Sequence, residues 1–151
     1  MNESITITAP PDQVWPFLVD LVRMREWNPK LVEAEPKTSG NPRVGYTCRT
    51  VWRMRSRTKA FLTRIEACDP PRRVTFAHQD DAQPRRIVRQ HFDLLPREGG
   101  THTLVRHQLD FAQSGLPLPV RWLMAIIARF GQSQEAAVME ELKKRVEAPP
   151  A

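Results

Sequence analysis

The chain has 151 residues, of which 40% are hydrophobic and 26% are charged. This balance is typical of one folded domain and excludes a disordered tail or a collagen-like chain. No apolar run approaches the ~20 residues that a membrane helix needs, and the polar start predicts no signal peptide. The net charge of +6 brings nucleic acid into consideration as a partner. The two cysteines lack metal-ligand spacing, which predicts reduced thiols and a cytoplasmic location.

The predicted elements begin with a strand at 4–8, where polar and apolar residues alternate. A helix starts at Pro10-Pro11-Asp12, and the helical segment ends near Trp27-Asn28-Pro29 because a residue before proline disfavours helix. Six short strands separated by turn residues fill 30–112, and a long helix follows Pro117 and runs to about Glu147. A strand, short helices, six strands and a long helix predict a single α+β domain.

The strand at 43–54 has one apolar and one basic face, because side chains alternate across a strand. A one-residue slip in its pairing with the next strand would place charged residues on the apolar face. The hydrophobic pattern therefore predicts that Trp52 lies opposite Phe61 and that Thr50 lies opposite Thr63.

The same alternation gives two further predictions. Around the Glu98-Gly99 turn, Phe92 is expected opposite Val105 and Gln90 opposite His107. In the earlier hairpin Cys48 points inward and Cys68 outward, which disfavours a disulfide between them.

The predicted sheet therefore has two chemically different faces. Its outer face carries arginines that we interpret as solvated, namely Arg49, Arg53, Arg64, Arg73 and Arg89. Its inner face is apolar except for Tyr46, Thr50, Thr63, His78, Gln90, Thr103 and His107. An apolar concavity with a few polar groups is the usual profile of a small-molecule pocket.

The long C-terminal helix is expected to cover this inner face through a stripe at helical spacing. Gly131 lies in the stripe, where a mid-helix glycine costs ~1 kcal/mol relative to alanine, and Gln134 interrupts its apolar character. Both features favour a cavity between helix and sheet; a kink or break of the helix is the alternative. The stripe consists of Val120, Leu123, Met124, Ile127, Gly131, Gln134, Val138, Leu142 and Val146.

His107 and Gln90 are the leading candidates for ligand contact, because both are expected to face inward on adjacent strands. Histidine exchanges a proton readily near neutral pH, so His107 is also a candidate acid or base for an aldol-type cyclisation or dehydration. The structural alternative is that His107 only hydrogen-bonds Gln90 or a backbone group as a buried polar residue.

Three aromatic residues and one histidine complete the candidates. Tyr46 and Trp52 share the inner face, where their rings can pack against an apolar ligand or simply fill the core. Trp27 either gates the mouth of the pocket or fixes the short helices. His78 approaches the Asp80-Asp81 loop, where solvent at the rim is one environment open to it.

The sequence shows no signature of metal, phosphate-loop or serine-nucleophile chemistry. Four scattered histidines have no ligand spacing, and neither a Gly-rich phosphate loop nor a nucleophile elbow is present. We therefore expect no metal and no cofactor.

Four segments in chain order resemble the START-like, or SRPBCC, superfamily, which includes polyketide cyclase/dehydrase, lipid-transport and Bet v 1-like proteins. They are ITITAPPDQVW (5–15) with WNP (27–29), DPPRRV (69–74), FDLLP (92–96) with GGT (99–101), and ELKKRVE (141–147). The resemblance covers essentially the whole chain.

The resemblance implies a helix-grip fold as a single domain over residues 1–151. In this fold a seven-stranded antiparallel sheet wraps around a long C-terminal helix, with two short helices after strand 1. Members hold lipids, polyketides or other apolar molecules between sheet and helix, and they include both enzymes and carriers. No catalytic signature of an aromatase/cyclase matches this sequence residue by residue.

The leading hypothesis is that the protein binds a hydrophobic small molecule between the sheet and the C-terminal helix. One alternative is a polyketide cyclase/dehydrase that uses the same cavity, with His107 as acid or base. Another is an interaction module with a basic outer face and an apolar segment at 122–127. We expect a monomer or homodimer with no nucleic-acid partner and no membrane span. The candidate ligand contacts are Tyr46, Thr50, Trp52, His78, Gln90, Thr103, His107, Ile127 and Gly131.

Overall fold

A computed structural model describes residues 2–123 and 134–149 of the chain. The strands are β1 (Asn2–Ile7), β2 (Leu31–Pro36), β3 (Thr47–Met54), β4 (Arg57–Asp69), β5 (Arg73–Asp80), β6 (Ile87–Arg97) and β7 (His102–Gln113). The helices are α1 (Pro11–Val19) and α2 (Leu21–Met24) after β1, a 3-10 turn (Glu98–Gly100) and α3 (Gln134–Glu147). Residues 118–123 are also helical.

The seven strands form one antiparallel sheet in the order β1-β7-β6-β5-β4-β3-β2. Helix α3 packs against β1 and α1, and it contributes Val138 and Leu142 to the buried core. The α+β helix-grip architecture expected from the sequence is therefore confirmed. Within residues 2–123 and 134–149, no helix is long and apolar enough to cross a membrane.

The two short helices are fixed by proline, a capping aspartate and a buried indole. Pro11 opens α1, where its missing N–H removes no hydrogen bond. The Asp20 carboxylate accepts from the first backbone N–H groups of α2. The Trp27 indole is buried and donates a hydrogen bond of 2.9 Å to the Phe17 carbonyl. This contact supports fixation of the helices as the role of Trp27.

The pairing of two hairpins differs from the sequence expectation by two residues. Thr50 lies opposite Phe61, and Phe92 lies opposite His107. In the first hairpin the connection between β3 and β4 is only Arg55-Ser56, and Arg55 has a φ of 57°. Because a shift of two residues preserves the alternation, the inner and outer faces remain as expected although the opposite partners were wrong.

The expected outward direction of Cys68 is also wrong. The pairing of β4 with β5 shifts between Ile65 and Ala67, where a bulge adds one residue to β4. Beyond this bulge the alternation inverts, so Ala67 is exposed and Cys68 packs against the core. Cys48, on the unshifted part of its hairpin, is buried as expected.

Residues 118–123 do not present the expected apolar stripe to the core. Val120 is 40% exposed and Leu123 is 57% exposed. The Arg121 guanidinium instead donates to the Ala112 carbonyl on β7 at 3.3 Å, so a polar contact joins this segment to β7. Further along the stripe, Val138 and Leu142 are buried. The expected stripe residues Met124, Ile127 and Gly131, and the side chain of Gln134, lie outside the described residues.

Candidate functional site

Polar side chains on the inner face join into one hydrogen-bonded line across five strands, which we call the inner polar row. Trp52 Nε1 lies 3.0 Å from Thr50 Oγ1, which lies 2.8 Å from Thr63 Oγ1. Thr63 Oγ1 is 2.8 Å from His78 Nδ1, and His78 Nε2 is 3.0 Å from Gln90 Oε1. Gln90 Nε2 completes the row at 2.9 Å from His107 Nε2. Its members are Trp52, Thr50, Thr63, His78, Gln90 and His107.

The strand pattern places these residues on one face, and the observed pairing determines which of them touch. Thr63 lies directly opposite His78 on the neighbouring strand. Gln90 lies diagonally from both histidines, because His78 is opposite Val88 and Gln90 itself is opposite Leu109. Diagonal neighbours on a sheet are within reach of long side chains, so the glutamine amide bridges the two imidazole rings.

The first hydrogen bonds of the row have a definite direction. An indole N–H can only donate, so Thr50 Oγ1 accepts from Trp52. The Thr50 hydroxyl then donates to Thr63 at 2.8 Å in preference to the Phe61 carbonyl at 3.5 Å. Thr63 therefore donates to His78 Nδ1.

The same direction continues through the two histidines. His78 Nε2 carries its proton and donates to Gln90 Oε1, and the Gln90 amide donates to His107 Nε2. Burial lowers the pKa of His78 to about 4, so this ring is neutral at pH 7 and carries the single proton that the row requires.

Aromatic rings surround the row and separate it from water. The His78 ring meets Trp52 edge-on at 5.4 Å and stacks on Phe76 at 6.2 Å between centroids. The His107 ring stacks on Phe92 at 4.7 Å. His78 is 6% exposed, so the solvent-facing rim position considered for it from the sequence is wrong. The bulk of these aromatic neighbours closes that rim.

The row is internally satisfied, which defines what it can do chemically. Among the described residues, every buried side-chain nitrogen and oxygen atom has a hydrogen-bond partner. An aligned series of donors and acceptors in an apolar surrounding polarises its members. Such a row can orient a polar group of a ligand, and the amide between its two imidazoles holds each ring in a fixed orientation.

Two other candidates lie on the inner face without being hydrogen-bonded members of the row. Tyr46 is buried, and this burial raises the pKa of its phenol. Thr103 is fully buried and donates to the Ala9 carbonyl at 2.7 Å, which ties β7 to the start of α1. The sequence placed Thr63 on the inner face but not among the ligand contacts, although it links the threonines to His78. Ile127 and Gly131 lie outside the described residues.

The outer face of the sheet combines ion pairs with solvated arginines. Arg89 makes two hydrogen bonds to Glu66, at 2.8 and 3.0 Å, and a third to Gln113. Arg73 pairs with Asp93 at 3.1 Å. Arg49 lies 3.7 Å from an Asp81 carboxylate oxygen, and Arg53 and Arg64 are exposed. The arginines therefore lie on the face where the alternation placed them.

Comparison with known proteins identifies the family. The family described as polyketide cyclase / dehydrase and lipid transport matches residues 1–147, so the chain belongs to that family. No curated protein matches the sequence significantly.

Solved structures share the fold at low sequence identity. A START superfamily protein from Mycobacterium smegmatis superposes with a TM-score of 0.73 at 18% identity, covering 97% of this chain and 96% of that one. The Zhui aromatase/cyclase from Streptomyces sp. R1128 gives 0.65 at 19% identity, with 98% and 95% covered. Ara h 8.0201 gives 0.60 at 17% identity, with 97% and 95% covered. At sequence identities this low, the superpositions establish that these proteins share a fold with this chain.

Proposed function

We propose that this member of the polyketide cyclase/dehydrase and lipid-transport family binds an apolar small molecule, such as a lipid or polyketide, between its sheet and its C-terminal helix. The chain acts as a single domain over residues 1–151 in this proposal. The ligand contacts are Tyr46, Thr50, Trp52, His78, Gln90, Thr103 and His107 from the sheet, with Ile127 and Gly131 from the C-terminal segment.

The inner polar row is the observation that carries this proposal. Burying a polar group in an apolar surrounding costs free energy unless the group is hydrogen-bonded, and the row meets that condition. Replacing both partners of such a hydrogen bond by apolar groups of the same shape can be nearly neutral or stabilising. Stability alone therefore does not require a polar row across five strands, whereas a site that orients a mostly apolar ligand does require polar groups on its wall.

Affinity and orientation then come from different groups. The ligand gains ~25 cal/mol for each Å² of apolar surface removed from water, before the costs of association. Tyr46 and Trp52 are the aromatic side chains that supply part of that contact. Gln90 and His107 hold one polar group of the ligand and so select its orientation.

The proposal is tested by native mass spectrometry of protein purified from its own host. Denaturing extraction then releases any bound molecule for identification. We expect an apolar molecule in one-to-one complex. Protein that is empty and that also ignores a panel of lipids, quinones and polyketides would contradict the proposal.

A matched pair of variants tests the binding face. The His107→Ala change removes an imidazole from the inner row, whereas His91→Ala removes one from the outer face, where His91 Nδ1 lies 2.9 Å from Thr75 Oγ1. We expect His107→Ala to weaken binding of the co-purified molecule about tenfold, the usual scale for one lost buried hydrogen bond. His91→Ala should leave it unchanged. Equal effects of the two changes would argue against ligand contact at His107.

A second candidate function is a cyclase/dehydrase reaction in the same cavity. It is favoured by the position of His107, whose Nε2 accepts from the Gln90 amide at 2.9 Å, because one imidazole can take a proton from a carbon of a poly-β-ketone and, as imidazolium, return it to the alkoxide that ring closure forms. A poly-β-keto thioester incubated with wild type and His107→Ala distinguishes the two functions. Turnover lost with binding kept supports an enzyme, and binding without turnover in wild type supports a carrier.

A third candidate is an interaction module formed by the basic outer face and the apolar segment at 122–127. It is favoured by Trp122, which is 71% exposed. It predicts salt-sensitive binding to anionic vesicles.

The leading proposal keeps a cytoplasmic monomer or homodimer without a nucleic-acid partner, and the free thiols of Cys48 and Cys68 support the cytoplasmic part.

A further inference from the structure

A second concave site lies at one end of the sheet, apart from the inner polar row. It is a cleft of about 670 Å³ between the β5–β6 turn and the end of β7, and we call it the arginine cleft. Its volume is in the range of small-molecule sites rather than of a single bound ion. Its lining residues are Gln83, Pro84, Arg85, Arg86, Ile87, Ala112, Gln113 and Gly115.

The β5–β6 wall of the cleft is held in place by hydrogen bonds to the buried carboxylate of Asp80. This carboxylate accepts from the backbone N–H groups of Ala82 and Gln83 at 2.9 and 3.3 Å. It also lies 2.6 Å from Lys59 Nζ, which compensates its charge. The Arg86 N–H donates to the Gln83 carbonyl at 2.8 Å and closes the turn. The wall is therefore ordered before any ligand binds.

The opposite wall depends on Gly115 and on the position of Arg86 against it. Gly115 has a φ of +77°, and a Cβ there would lie 2.6 Å from Arg86 Nε. A Cβ at this distance would force the Arg86 side chain to shift, so the absence of a side chain at 115 lets Arg86 lie across this wall in its present position. The Ser114 hydroxyl, which donates to the Phe111 carbonyl at 2.7 Å, fixes the preceding turn.

Within residues 2–123 and 134–149, the guanidinium groups of Arg85 and Arg86 have no carboxylate as an ion-pair partner. Arg121 adds a third positive charge at the cleft, because its guanidinium binds the Ala112 carbonyl of the lining. Two nearby acids are paired with other cations, Asp80 with Lys59 and Asp81 with Arg49. The Asp110 carboxylate, which accepts from the Ala112 N–H at 2.9 Å, is the one negative charge that we place beside the lining among the described residues, against the three arginines.

We propose that the arginine cleft binds the anionic group of a small amphipathic molecule, a carboxylate or a phosphate ester. The planar, doubly donating guanidinium groups of Arg85 and Arg86 match both anions. Pro84, Ile87 and Ala112 receive the apolar part of the molecule. The site shares no residue with the inner polar row, so it does not rest on the function proposed above.

Four probes of matched structure test this assignment: octanoate, octyl phosphate, 1-octanol and inorganic phosphate. Titration of ¹⁵N-labelled wild-type protein should move the backbone amide signals of 83–87 and 112–115 with octanoate or octyl phosphate. The alcohol lacks the charge and inorganic phosphate lacks the chain, so both should bind at least about tenfold more weakly. The stronger of the two anionic probes identifies carboxylate or phosphate as the preferred group.

A charge-matched pair of variants assigns the binding to the cleft. Arg85→Gln/Arg86→Gln removes its two charges, whereas Arg97→Gln/Arg106→Gln removes two exposed charges nearer the other end of β6 and β7. We expect the first variant to lose about tenfold or more in affinity for the anionic probe, and the second to keep it.

Three results would overturn the assignment. Octanol could bind as tightly as octanoate, the two double variants could bind alike, or the wild-type signals that move could belong to the inner row instead of 83–87 and 112–115. The last measurement needs no variant, so it remains decisive even if Arg85→Gln/Arg86→Gln fails to fold.

Discussion

Replacing Gln90 with leucine should destabilise the protein much more than the loss of one surface hydrogen bond. Gln90 is 4% exposed, and its amide forms hydrogen bonds to two imidazoles. Gln90 Oε1 lies 3.0 Å from His78 Nε2, and Gln90 Nε2 lies 2.9 Å from His107 Nε2. Leucine leaves one buried donor and one buried acceptor without a partner, at about 1–3 kcal/mol each. We therefore expect the free energy of unfolding to fall by about 2–6 kcal/mol.

Urea denaturation followed by tryptophan fluorescence measures this loss, since Trp27 is buried in the core and Trp52 is half-buried. Thr75→Val is the matched control, because it breaks one hydrogen bond to the half-buried His91 on the outer face and should cost only about 0.5–1.5 kcal/mol. A Gln90→Leu loss no larger than the control would refute the directional row.

The same row makes a second, stricter test available. Changing His78, Gln90 and His107 together to Phe, Leu and Phe removes both imidazoles that Gln90→Leu leaves unpaired, and the Thr63 hydroxyl is the one group of the row that then loses its acceptor. Because unsatisfied polar atoms cost more than absent ones, the triple variant should be more stable than Gln90→Leu alone. A triple variant that is less stable than the single one would show that packing, rather than hydrogen bonding, determines stability at this face.

Two further predictions concern His78 and Gly115. Burial lowers the pKa of His78 to about 4 from 6.5. Below about pH 6.5 the unfolded chain therefore binds a proton that the folded protein does not. The free energy of unfolding should fall as the pH is lowered from about 6.5 towards 4, by about 3 kcal/mol in all. Urea midpoints measured across that window should show this slope in wild type and a flatter one in His78→Phe, and parallel slopes would contradict it. Gly115→Ala should lower the melting temperature more than Gly45→Ala, because both glycines have strongly positive φ but only at Gly115 would a Cβ meet Arg86. Equal losses would mean that Arg86 moves aside freely.

The sequence predicted the architecture because its dominant signal, the alternation of apolar and polar residues, survives small errors of pairing. The register errors at Thr50 and Phe92 were shifts of two residues, which preserve the faces. A bulge shifts the alternation by one residue, and nothing in the composition around Ala67 indicates one. The direction of Cys68 was wrong for that reason.

The candidate site was predictable only as a set of residues on one face. Which of them touch depends on the exact register, since Gln90 bridges two histidines that are diagonal to it rather than opposite. The arginine cleft was not predicted at all. It depends on Arg86 approaching Gly115, and this contact between two distant turns leaves no periodic pattern in the sequence.

Strand β6 connects the two sites and explains how they remain chemically separate. It leaves the arginine cleft at Ile87, and its pairing with β7 is irregular between Ile87 and Arg89. After this irregularity Arg89 points outward to Glu66 while Gln90 points inward to the histidines. Three residues of strand span about 10 Å. The cationic, solvent-exposed arginine cleft and the neutral, buried inner polar row therefore lie close together along β6. The ion pair of Arg89 with Glu66 removes the one positive charge on this strand that lies next to the row.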